Sequence, residues 1–303
     1  MNPEIIKLGI PAGSLQKATV ELFNKAGFYI ADSQRSYSPH IDDEQIKILM
    51  LRAQEMSRYV EDGILDCGIT GYDWIMENQS DIHEVSELKY SKATAKPARW
   101  VLAVPSESKI KIPKDLKGAI IATELVNVTK KYFEEKNINV KVEFSWGATE
   151  AKAQLLQTAD KKVNTRLVDA IVELTETGTS LRANNLREID TVISSTTRFI
   201  ANKNAWKDKY KKQKIENIAI LLSAAIDAAN RVGLKMNIKK SDMKSVLKLL
   251  PAEKSPTISE LADSDYIAVE VIIEKKTERD LVPKLKRAGA SGIITYPLNK
   301  VIH

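Results

Sequence analysis

The sequence predicts an α/β protein that ends in a separate, smaller βαββαβ unit. Over the first two-thirds of the 303 residues, short apolar strands alternate with helical segments, a pattern that favours parallel sheets. Over the last block of about 70 residues, a usual size for a small domain, the order becomes that of the ferredoxin-like split unit. The chain of 303 residues is long enough for two or three domains with proper cores, and its 43% of apolar residues indicates a globular protein.

The first block opens with a strand at Ile5–Ile10, a loop at Pro11–Ser14 and a helix at Leu15–Lys25. Such a loop faces a ligand, because open α/β sheets bind at the carboxyl ends of their strands. The same periodicity predicts the elements that follow. They are the strand Ile46–Met50, the helix Ala53–Asp62, the strand Leu65–Thr70 and a helix that begins at Trp74.

A second block starts near Lys96 and repeats the alternation. The charge run Lys207–Lys214 beyond it is typical of a solvated helix face, and that helix continues over Ile215–Val232. The predicted elements of the second block are the strands Trp100–Val104, Ala119–Thr123 and Val140–Phe144, the helix Val126–Lys136, and a helix and a strand before Leu174. Those of the last block are the strands Gly233–Ile238, Thr257–Leu261, Tyr266–Ile273 and Gly292–Tyr296, with the helices Ser241–Leu250 and Glu278–Ala288.

The most informative stretch is Leu167–Leu186, where an alternating strand runs into the hydroxyl-rich turn Thr177–Ser180 and a helix-forming segment. Gly178 adopts conformations that other residues resist, and the hydroxyls lie beside backbone N–H groups at the positive end of the helix. This combination predicts a cradle for one phosphate. Glu173, upstream of the turn, is placed to reach the hydroxyls of a sugar whose phosphate the turn holds. The same pattern also forms ordinary helix caps, and that alternative stays open.

Composition limits the kinds of molecule that the protein is expected to bind. The net charge of +6 fits an anionic small molecule, and the sequence lacks the Arg-rich stripe with interleaved aromatics that is typical of nucleic-acid binding. The single Cys67 forms no disulfide within the chain, which agrees with a reducing cytoplasm. The opening segment MNPEIIKLGIP predicts a strand and not a signal peptide, and no apolar run predicts a membrane span. We therefore expect a cytoplasmic protein without a nucleic-acid or membrane partner.

The sequence lacks an obvious protein nucleophile. The three histidines, His40, His83 and His303, form no His or Cys cluster, so we expect no dedicated transition-metal site. A G-x-S-x-G elbow and a Cys–His pair are also missing. Displacement of pyrophosphate from an activated ribose by a ring nitrogen needs no such nucleophile. The protein then positions two anions and stabilises the charge that develops.

Seven segments carry a resemblance to a known family. They are KLGIPAGSL (7–15), LRAQEMSRYVEDGILDCGITGYDWI (51–75), RWVLAVP (99–105), SWGATEAK (145–152), DAIVELTETGTSLRANNL (169–186), LLPAEKSPTISELAD (249–263) and GASGIITYPLNKVI (289–302). In this order, and over nearly the whole chain, they closely resemble ATP phosphoribosyltransferase in its long form. The segment at 169–186 is the most specific of the seven.

The resemblance implies both a fold and an activity. The fold is two catalytic α/β domains, arranged like a periplasmic binding protein, and a ferredoxin-like regulatory domain. The reaction joins N1 of ATP to phosphoribosyl pyrophosphate as the first step of histidine biosynthesis. Mg²⁺ is needed, mostly through substrate phosphates, and L-histidine inhibits. The assembly is a homo-oligomer between dimer and hexamer. Since such two-lobed folds also serve exported solute receptors, a non-catalytic binding module is the alternative.

On this basis we predict four regions. Catalytic domain I comprises residues 1–95 with 187–210, catalytic domain II comprises 96–186, a connecting helix spans 211–227, and the regulatory domain spans 228–303. Many relatives carry a basic residue in the first loop, whereas this chain has Pro11-Ala12-Gly13-Ser14. We therefore expect Arg52 or Arg99 to carry more of the phosphate binding.

The resemblance also assigns residues to roles. The ribose 5-phosphate falls to Thr177, Gly178, Thr179 and Ser180, with Glu173 on the ribose. Asp169 belongs to the same motif but lies four residues before Glu173, and four strand residues span about 13 Å. We therefore favour Glu173 for the ribose and keep Asp169 as a structural candidate. The catalytic candidates are thus Glu173, Asp169 and Arg52. The other substrate-binding candidates are Gly13, Ser14, Asp73, Arg99 and Glu150. The allosteric candidates are Asn237, Thr257 and Ala290.

Several of these roles have a purely structural alternative. Arg52 also fits a cap on a sheet edge, and Asp73 also fits the N-cap of a helix that needs no ligand. Asn237 also fits a strand end, and Thr257 also fits an edge or capping position.

Overall fold

The computed structural model describes residues 4–31, 36–90, 97–153, 156–157, 164–165, 167–251, 256–262 and 265–302. The predicted boundary at residues 95 and 96 and the terminal His303 lie outside these ranges. The chain divides into two compact units. The first comprises residues 1–21 and 29–219, and the second comprises residues 22–28 and 220–303. Within the described ranges, every helix is too short or too polar to span a lipid bilayer.

The first unit contains two five-stranded sheets. The strands of its first sheet are β1 (Ile6–Ala12), β2 (Ile46–Arg52), β3 (Cys67–Gly71), β4 (His83–Leu88) and β12 (Thr197–Ala201), in the order β2-β1-β3-β12-β4. β1 is parallel to β2 and β3, whereas β12 is antiparallel to β3 and β4. The helices α1 (Gln16–Ala26), α2 (Ala53–Glu61) and α3 (Tyr72–Asn78) follow β1, β2 and β3.

Close packing of α2 explains a glycine in β1. A Cβ atom on Gly9 would lie 2.2 Å from the sulfur of Met56, so only glycine leaves room for this buried side chain. Val60 and Leu65 belong to the same buried cluster. The apolar period of α2 therefore places its buried stripe on the sheet.

The second sheet has the strand order β11-β5-β10-β6-β7. Its strands are β5 (Ala98–Pro105), β6 (Ile120–Thr123), β7 (Lys141–Phe144), β10 (Ala170–Thr175) and β11 (Leu186–Ser195), with the helices α4 (Val126–Glu135), α5 (Thr149–Lys152) and α6 (Thr179–Ala183). β10 is central, and its residues 170–172 are buried on both faces. A two-stranded pair, β8 (Leu156–Gln157) and β9 (Asn164–Thr165), forms a separate small sheet.

Both sheets are mixed, so the prediction of parallel sheets is only partly right. β10, β6 and β7 run parallel, but β5 is antiparallel to both β10 and β11. Three strands, β4, β11 and β12, were not predicted from the sequence. β4 and β11 are edge strands, and their many half-buried polar residues hide the apolar alternation. Because residues 187–195 pair with β5, the boundary between the two sheets lies after residue 195 and not at 186.

The charged helix differs from the prediction in two ways. α7 (Lys203–Lys207) precedes α8 (Lys209–Ala229), which ends three residues before the predicted end because β13 (Arg231–Lys239) already begins. The lysines of the run are also not all solvated. Lys211 lies 2.8 Å from the Asp66 carboxylate, and Lys214 lies 2.6 Å from that of Asp43. These two ammonium groups bind the first turns of α8, which belong to the first unit, to carboxylates of the same unit.

The second unit confirms the predicted βαββαβ order. Its antiparallel sheet has the order β14-β15-β13-β16, formed by β13, β14 (Thr257–Glu260), β15 (Tyr266–Glu274) and β16 (Ser291–Pro297). The helices α9 (Met243–Leu247) and α10 (Lys275–Arg287) pack on one face. Leu234, Met236 and Ile238 of β13 and Leu285 of α10 form its core. The other face of β13 carries Lys235 and Asn237, as the period of two requires.

Candidate active site

A crevice of about 490 Å³ lies where strand ends of the two sheets of the first unit meet. The first sheet contributes the ends of β1, β2 and β3, and the second contributes the end of β10 and the residue after β6. Carboxyl ends of strands line such crevices in open α/β folds. The lining residues discussed below are Ser14, Arg52, Asp73, Trp100, Glu124 and Glu173.

The hydroxyl-rich turn follows β10 directly. Gly178 has a φ of +71°, in the left-handed region that favours glycine, and its N–H donates to the Oγ1 of buried Thr175 at 2.7 Å. The Oγ1 atoms of Thr177 and Thr179 lie 2.9 Å apart. Thr179 and Ser180 open α6. The Thr175 hydroxyl therefore holds the backbone of the turn, and the hydroxyls of Thr177 and Thr179 lie side by side.

Arg182 is a residue at this turn that the sequence analysis missed. Its Nη2 donates to the carbonyl of Thr177 at 3.0 Å and to the Oγ1 of Thr179 at 3.3 Å. A Cβ on Gly178 would lie 2.8 Å from its Nη1. The spacing from Thr179 was the available signal, since residues three apart on a helix lie on one face. The turn thus has its own guanidinium.

Glu150 of α5 also reaches the turn. The hydroxyl of Ser180 donates to its Oε1 at 2.6 Å. The structure therefore brings this predicted residue together with Thr177, Gly178 and Thr179, although 30 residues separate Glu150 from Ser180 in the sequence.

Glu173 lines the crevice near the end of β10 and is half-buried. Burial is the largest cause of a rise in the pKa of its carboxyl to about 7, and the nearby carboxylates of Glu150 and Glu124 contribute to that rise. A hydrogen bond from the Thr149 side chain and another from the Leu174 N–H favour the charged form and limit the rise. Glu173 is therefore a group that changes its charge close to neutral pH.

Asp169 lies at the other end of β10, away from the turn. Its Oδ2 accepts from the N–H of Ile120 at 2.9 Å, and its own N–H donates to the Ile120 carbonyl. It does not line the crevice. The structure thus separates Asp169 from Glu173 and gives it a strand-pairing contact with β6.

The first loop and Arg52 meet at the crevice. Gly13 has a φ of +88°, and a Cβ there would lie 3.3 Å from Nη1 of Arg52. Arg52 ends β2, in register with Ala12 of β1, and its side chain is exposed. Ser14 lines the same crevice. The loop thus presents a guanidinium from the neighbouring strand in place of a basic residue of its own.

Arg99 is engaged away from the crevice. Its guanidinium donates to both carboxylate oxygens of Glu188, at 2.9 and 3.2 Å, and to the Oγ1 of Thr191 at 3.2 Å. Its neighbours Ala98 and Trp100 line the crevice, whereas Arg99 does not. The guanidinium N–H groups of Arg99, whose geometry also suits a phosphate, thus link β5 to β11.

Asp73 is 4% exposed, and both of its carboxylate oxygens have donors. The indole Nε1 of Trp100 donates to Oδ2 at 2.6 Å, and the Ser195 hydroxyl donates to Oδ1 at 2.8 Å. Burial raises the pKa of Asp73, and these hydrogen bonds oppose the rise. Trp74 packs edge to face on Trp100 with ring centroids 5.9 Å apart. Asp73 therefore joins α3 to the second sheet and is not the N-cap of α3, which is Gly71.

The predicted allosteric residues lie in the second unit. Asn237 and Thr257 are exposed and lie on the same face of the sheet, because they pair with Ala268 and Glu270 of β15, two residues apart. Ala290 is 2% exposed and belongs to the core on the opposite face. Asn237 and Thr257 thus lie on one face of the sheet, and Ala290 lies in the core on the other face.

Comparison with known proteins agrees with this architecture. The family model "ATP phosphoribosyltransferase" matches residues 52–224, and "HisG, C-terminal domain" matches residues 228–300. An ATP phosphoribosyltransferase of Thermodesulfovibrio yellowstonii is 56% identical over 302 residues, which is 100% of both chains. One of Chlorobium phaeobacteroides is 52% identical over 298 residues, or 98% of each chain. The solved ATP phosphoribosyl transferase (HisG:HisZ) complex from Thermotoga maritima is 25% identical with a TM-score of 0.58, over 72% of this chain and 98% of that one.

The class is that of transferases built on a two-sheet α/β unit with an appended C-terminal domain. The chain belongs to the ATP phosphoribosyltransferase family, in its long form.

Proposed function

We propose that this chain transfers the 5-phosphoribosyl group of phosphoribosyl pyrophosphate to N1 of ATP, giving phosphoribosyl-ATP and pyrophosphate. This is the first step of L-histidine biosynthesis. The observation that carries the proposal is the hydroxyl-rich turn that directly follows β10, the strand whose last residues, Glu173 among them, line the crevice. The full-length match to relatives of that name supports the identity of both substrates.

The turn holds the 5-phosphate of the ribosyl donor. The hydroxyls of Thr177, Thr179 and Ser180 donate to its oxygens, and Arg182 supplies positive charge beside them. When phosphate binds, the Ser180 hydroxyl must leave Glu150 for the phosphate. Glu150 and Glu173 then face the ribose hydroxyls. The anomeric carbon is left open toward the first sheet.

Attack by the adenine ring requires positioning and charge stabilisation, and no protein nucleophile takes part. N1 of ATP brings its own lone pair to the anomeric carbon as the bond to pyrophosphate breaks. Ionised Glu173 near the ribose stabilises the oxocarbenium character that develops. Arg52, across the crevice, is assigned to the phosphates of the nucleotide.

Mg²⁺ fits the reaction as part of the substrates. Among the described side chains, no group of three or more His, Cys, Asp and Glu comes together as a metal site. Mg²⁺ usually binds through one or two carboxylates and substrate phosphates. Glu173, which lines the crevice, is a carboxylate that fits such a bond, and the bound ion would neutralise the departing pyrophosphate.

L-histidine is proposed to inhibit through the second unit, at the face of the sheet that carries Asn237 and Thr257. We also propose that the chain works in the cytoplasm, where ATP and phosphoribosyl pyrophosphate occur, as a homo-oligomer between dimer and hexamer. A chain that ends near Ile226 should lose the response to histidine, whereas unchanged activity of the full chain in saturating histidine would argue against the inhibition.

The transfer itself is tested with ATP, phosphoribosyl pyrophosphate, Mg²⁺ and a pyrophosphatase, by following the ultraviolet absorbance of the product. We expect turnover by the full chain and loss of most activity in Glu173→Ala and Thr179→Ala with the fold retained. Thr295→Ala, an exposed threonine of the second unit, is the matched control and should keep full activity. No turnover by the unaltered chain would refute the function, and near-normal activity of both site variants would refute the assigned residues.

A further inference from the structure

Two opposite charges lie beside the glycine of the hydroxyl-rich turn. An oxygen of the Glu188 carboxylate, Oε1, lies 3.1 Å from the position that a Cβ atom on Gly178 would occupy. The Nη1 of Arg182 lies 2.8 Å from the same position. A carboxylate of β11 and a guanidinium of α6 are therefore close to each other at the turn that we assign to the 5-phosphate.

Arg99 of β5 binds the Glu188 carboxylate at both of its oxygens. Its Nη1 donates to Oε2 at 2.9 Å, and its Nη2 donates to Oε1 at 3.2 Å. A further bond, from Nη1 to the Oγ1 of Thr191 at 3.2 Å, holds the guanidinium against β11. Paired N–H···O bonds of this kind are strong and fix the orientation of both groups.

Arg182 is bonded to the turn and not to Glu188. Its Nη2 donates to the Thr177 carbonyl at 3.0 Å and to the Oγ1 of Thr179 at 3.3 Å. Without Arg99, the Glu188 carboxylate would lose both donors while a second guanidinium lies nearby. The carboxylate would then attract Arg182 away from Thr179, and its negative charge would repel a phosphate at the turn.

We propose that Arg99 is a positioning residue for the 5-phosphate of the substrate, because its grip on Glu188 keeps Arg182 on the Thr177–Ser180 turn. This inference rests on the proposed function. The Arg99 guanidinium is engaged by protein acceptors, so it acts through Glu188 and does not bind the phosphate itself.

Partial exposure of the pair sets the size of the effect. The side chains of Arg99 and Glu188 are 35% and 33% exposed. Water and salt screen charges at such positions, so we expect affinity to change about three- to fivefold on loss of Arg99 and binding to persist. The change should be largest at low ionic strength.

The experiment is a double-mutant cycle that measures the Kd for ribose 5-phosphate by isothermal titration calorimetry at low salt. Arg99→Met should bind about three- to fivefold more weakly than the unaltered chain. Glu188→Gln leaves the Arg99 guanidinium without its counter-charge and should bind about twofold more tightly. The double variant should return to within about twofold of the unaltered chain, because the harmful carboxylate is gone.

Further variants separate this effect from a structural one. Arg99→Lys keeps the positive charge and should restore most of the affinity. Lys141→Met removes an exposed lysine of β7, which lies 2.7 Å from Glu143, and should change the Kd little. At about 1 M salt, where charges are screened within about 3 Å, Arg99→Met and the unaltered chain should bind alike.

Several results would overturn the inference. They are an unchanged Kd in Arg99→Met, a double variant that binds as weakly as Arg99→Met, and a loss that persists at high salt. An affinity of Glu188→Gln no higher than that of the unaltered chain would also overturn it, and this variant decides the question if Arg99→Met fails to fold.

Steady-state kinetics supply a second readout. In Arg99→Met the KM for phosphoribosyl pyrophosphate should rise by the same factor with kcat unchanged, because a charge beside the 5-phosphate acts equally on the ground state and the transition state. A fall in kcat with an unchanged KM would contradict the inference. If the unaltered chain shows no turnover, the proposed function fails while the ribose 5-phosphate cycle still decides the role of Arg99.

Discussion

Glu173→Gln should make the protein more stable at pH 8 while it removes the group assigned to the ribose. An ordinary glutamic acid has a pKa of 4.5, whereas burial among other carboxylates raises that of Glu173 to about 7. At about 1.4 kcal/mol per pH unit, keeping this side chain ionised in the fold costs about 3 kcal/mol. Glutamine has a similar volume and still accepts from Thr149, so it removes the cost without creating a cavity.

The pH dependence gives this prediction its sign. Because the folded-state pKa is raised, the cost is fully present above about pH 7. It declines as the pH falls and disappears below about 4.5, where the unfolded chain is protonated as well. The advantage of Glu173→Gln in the free energy of unfolding should therefore be about 2–3 kcal/mol at pH 8 and vanish near pH 4.

Urea unfolding at a series of pH values measures this difference. The fluorescence of buried Trp100 reports on the same sheet, and the midpoint of the transition gives the relative stability. Glu135→Gln, an exposed position at the end of α4, is the control and should change the midpoint little at any pH. Equal midpoints for Glu173→Gln and the unaltered chain at pH 8 would show that the raised pKa is wrong.

Three further predictions concern contacts of the first unit. Glu77→Gln should lower the free energy of unfolding by about 1–2 kcal/mol in urea, because this buried carboxylate accepts two N–H groups at the start of α4, each at 3.0 Å. Asp73→Ala should cost about 2–4 kcal/mol, measured in the same way, since it leaves the buried indole N–H of Trp100 without its acceptor. Gly178→Ala should raise the KM for phosphoribosyl pyrophosphate several-fold in the steady-state assay, because alanine is strained at φ +71° and meets a guanidinium nitrogen at 2.8 Å. Unchanged stability or KM in any of these variants would refute the contact concerned.

The local sequence pattern was sufficient to predict those elements whose formation depends on neighbouring residues. The period of the apolar residues placed β1, α2, β10 and the whole βαββαβ unit close to their observed bounds, because burial of one face requires that spacing. The turn at Thr177–Ser180 was found for a similar reason. Its pattern, a glycine between hydroxyl residues at the end of a strand, lies within four positions, and Gly178 has the positive φ that glycine permits.

Local sequence pattern does not predict which side chains that are far apart in the chain form hydrogen bonds with each other. Arg99 was assigned to a phosphate, but its partner Glu188 lies 89 residues away on an adjacent strand. Asp73 was assigned to the substrate, but its donor Ser195 lies 122 residues away. Both side chains have the chemistry that was expected of them. The fold decides which donors and acceptors come within reach, and here it supplies protein partners.

The sequence by itself determined the alternation of elements, the C-terminal βαββαβ order and the hydroxyl-rich turn, because each depends on residues within a few positions of one another. Only the tertiary structure decided that β5, β11 and β12 run antiparallel to neighbours, that Arg182 donates to the Thr177–Ser180 turn, and that Glu150 accepts from Ser180. Strand pairing and buried hydrogen bonds join residues that are far apart in the chain, and a local pattern contains no record of which of them meet.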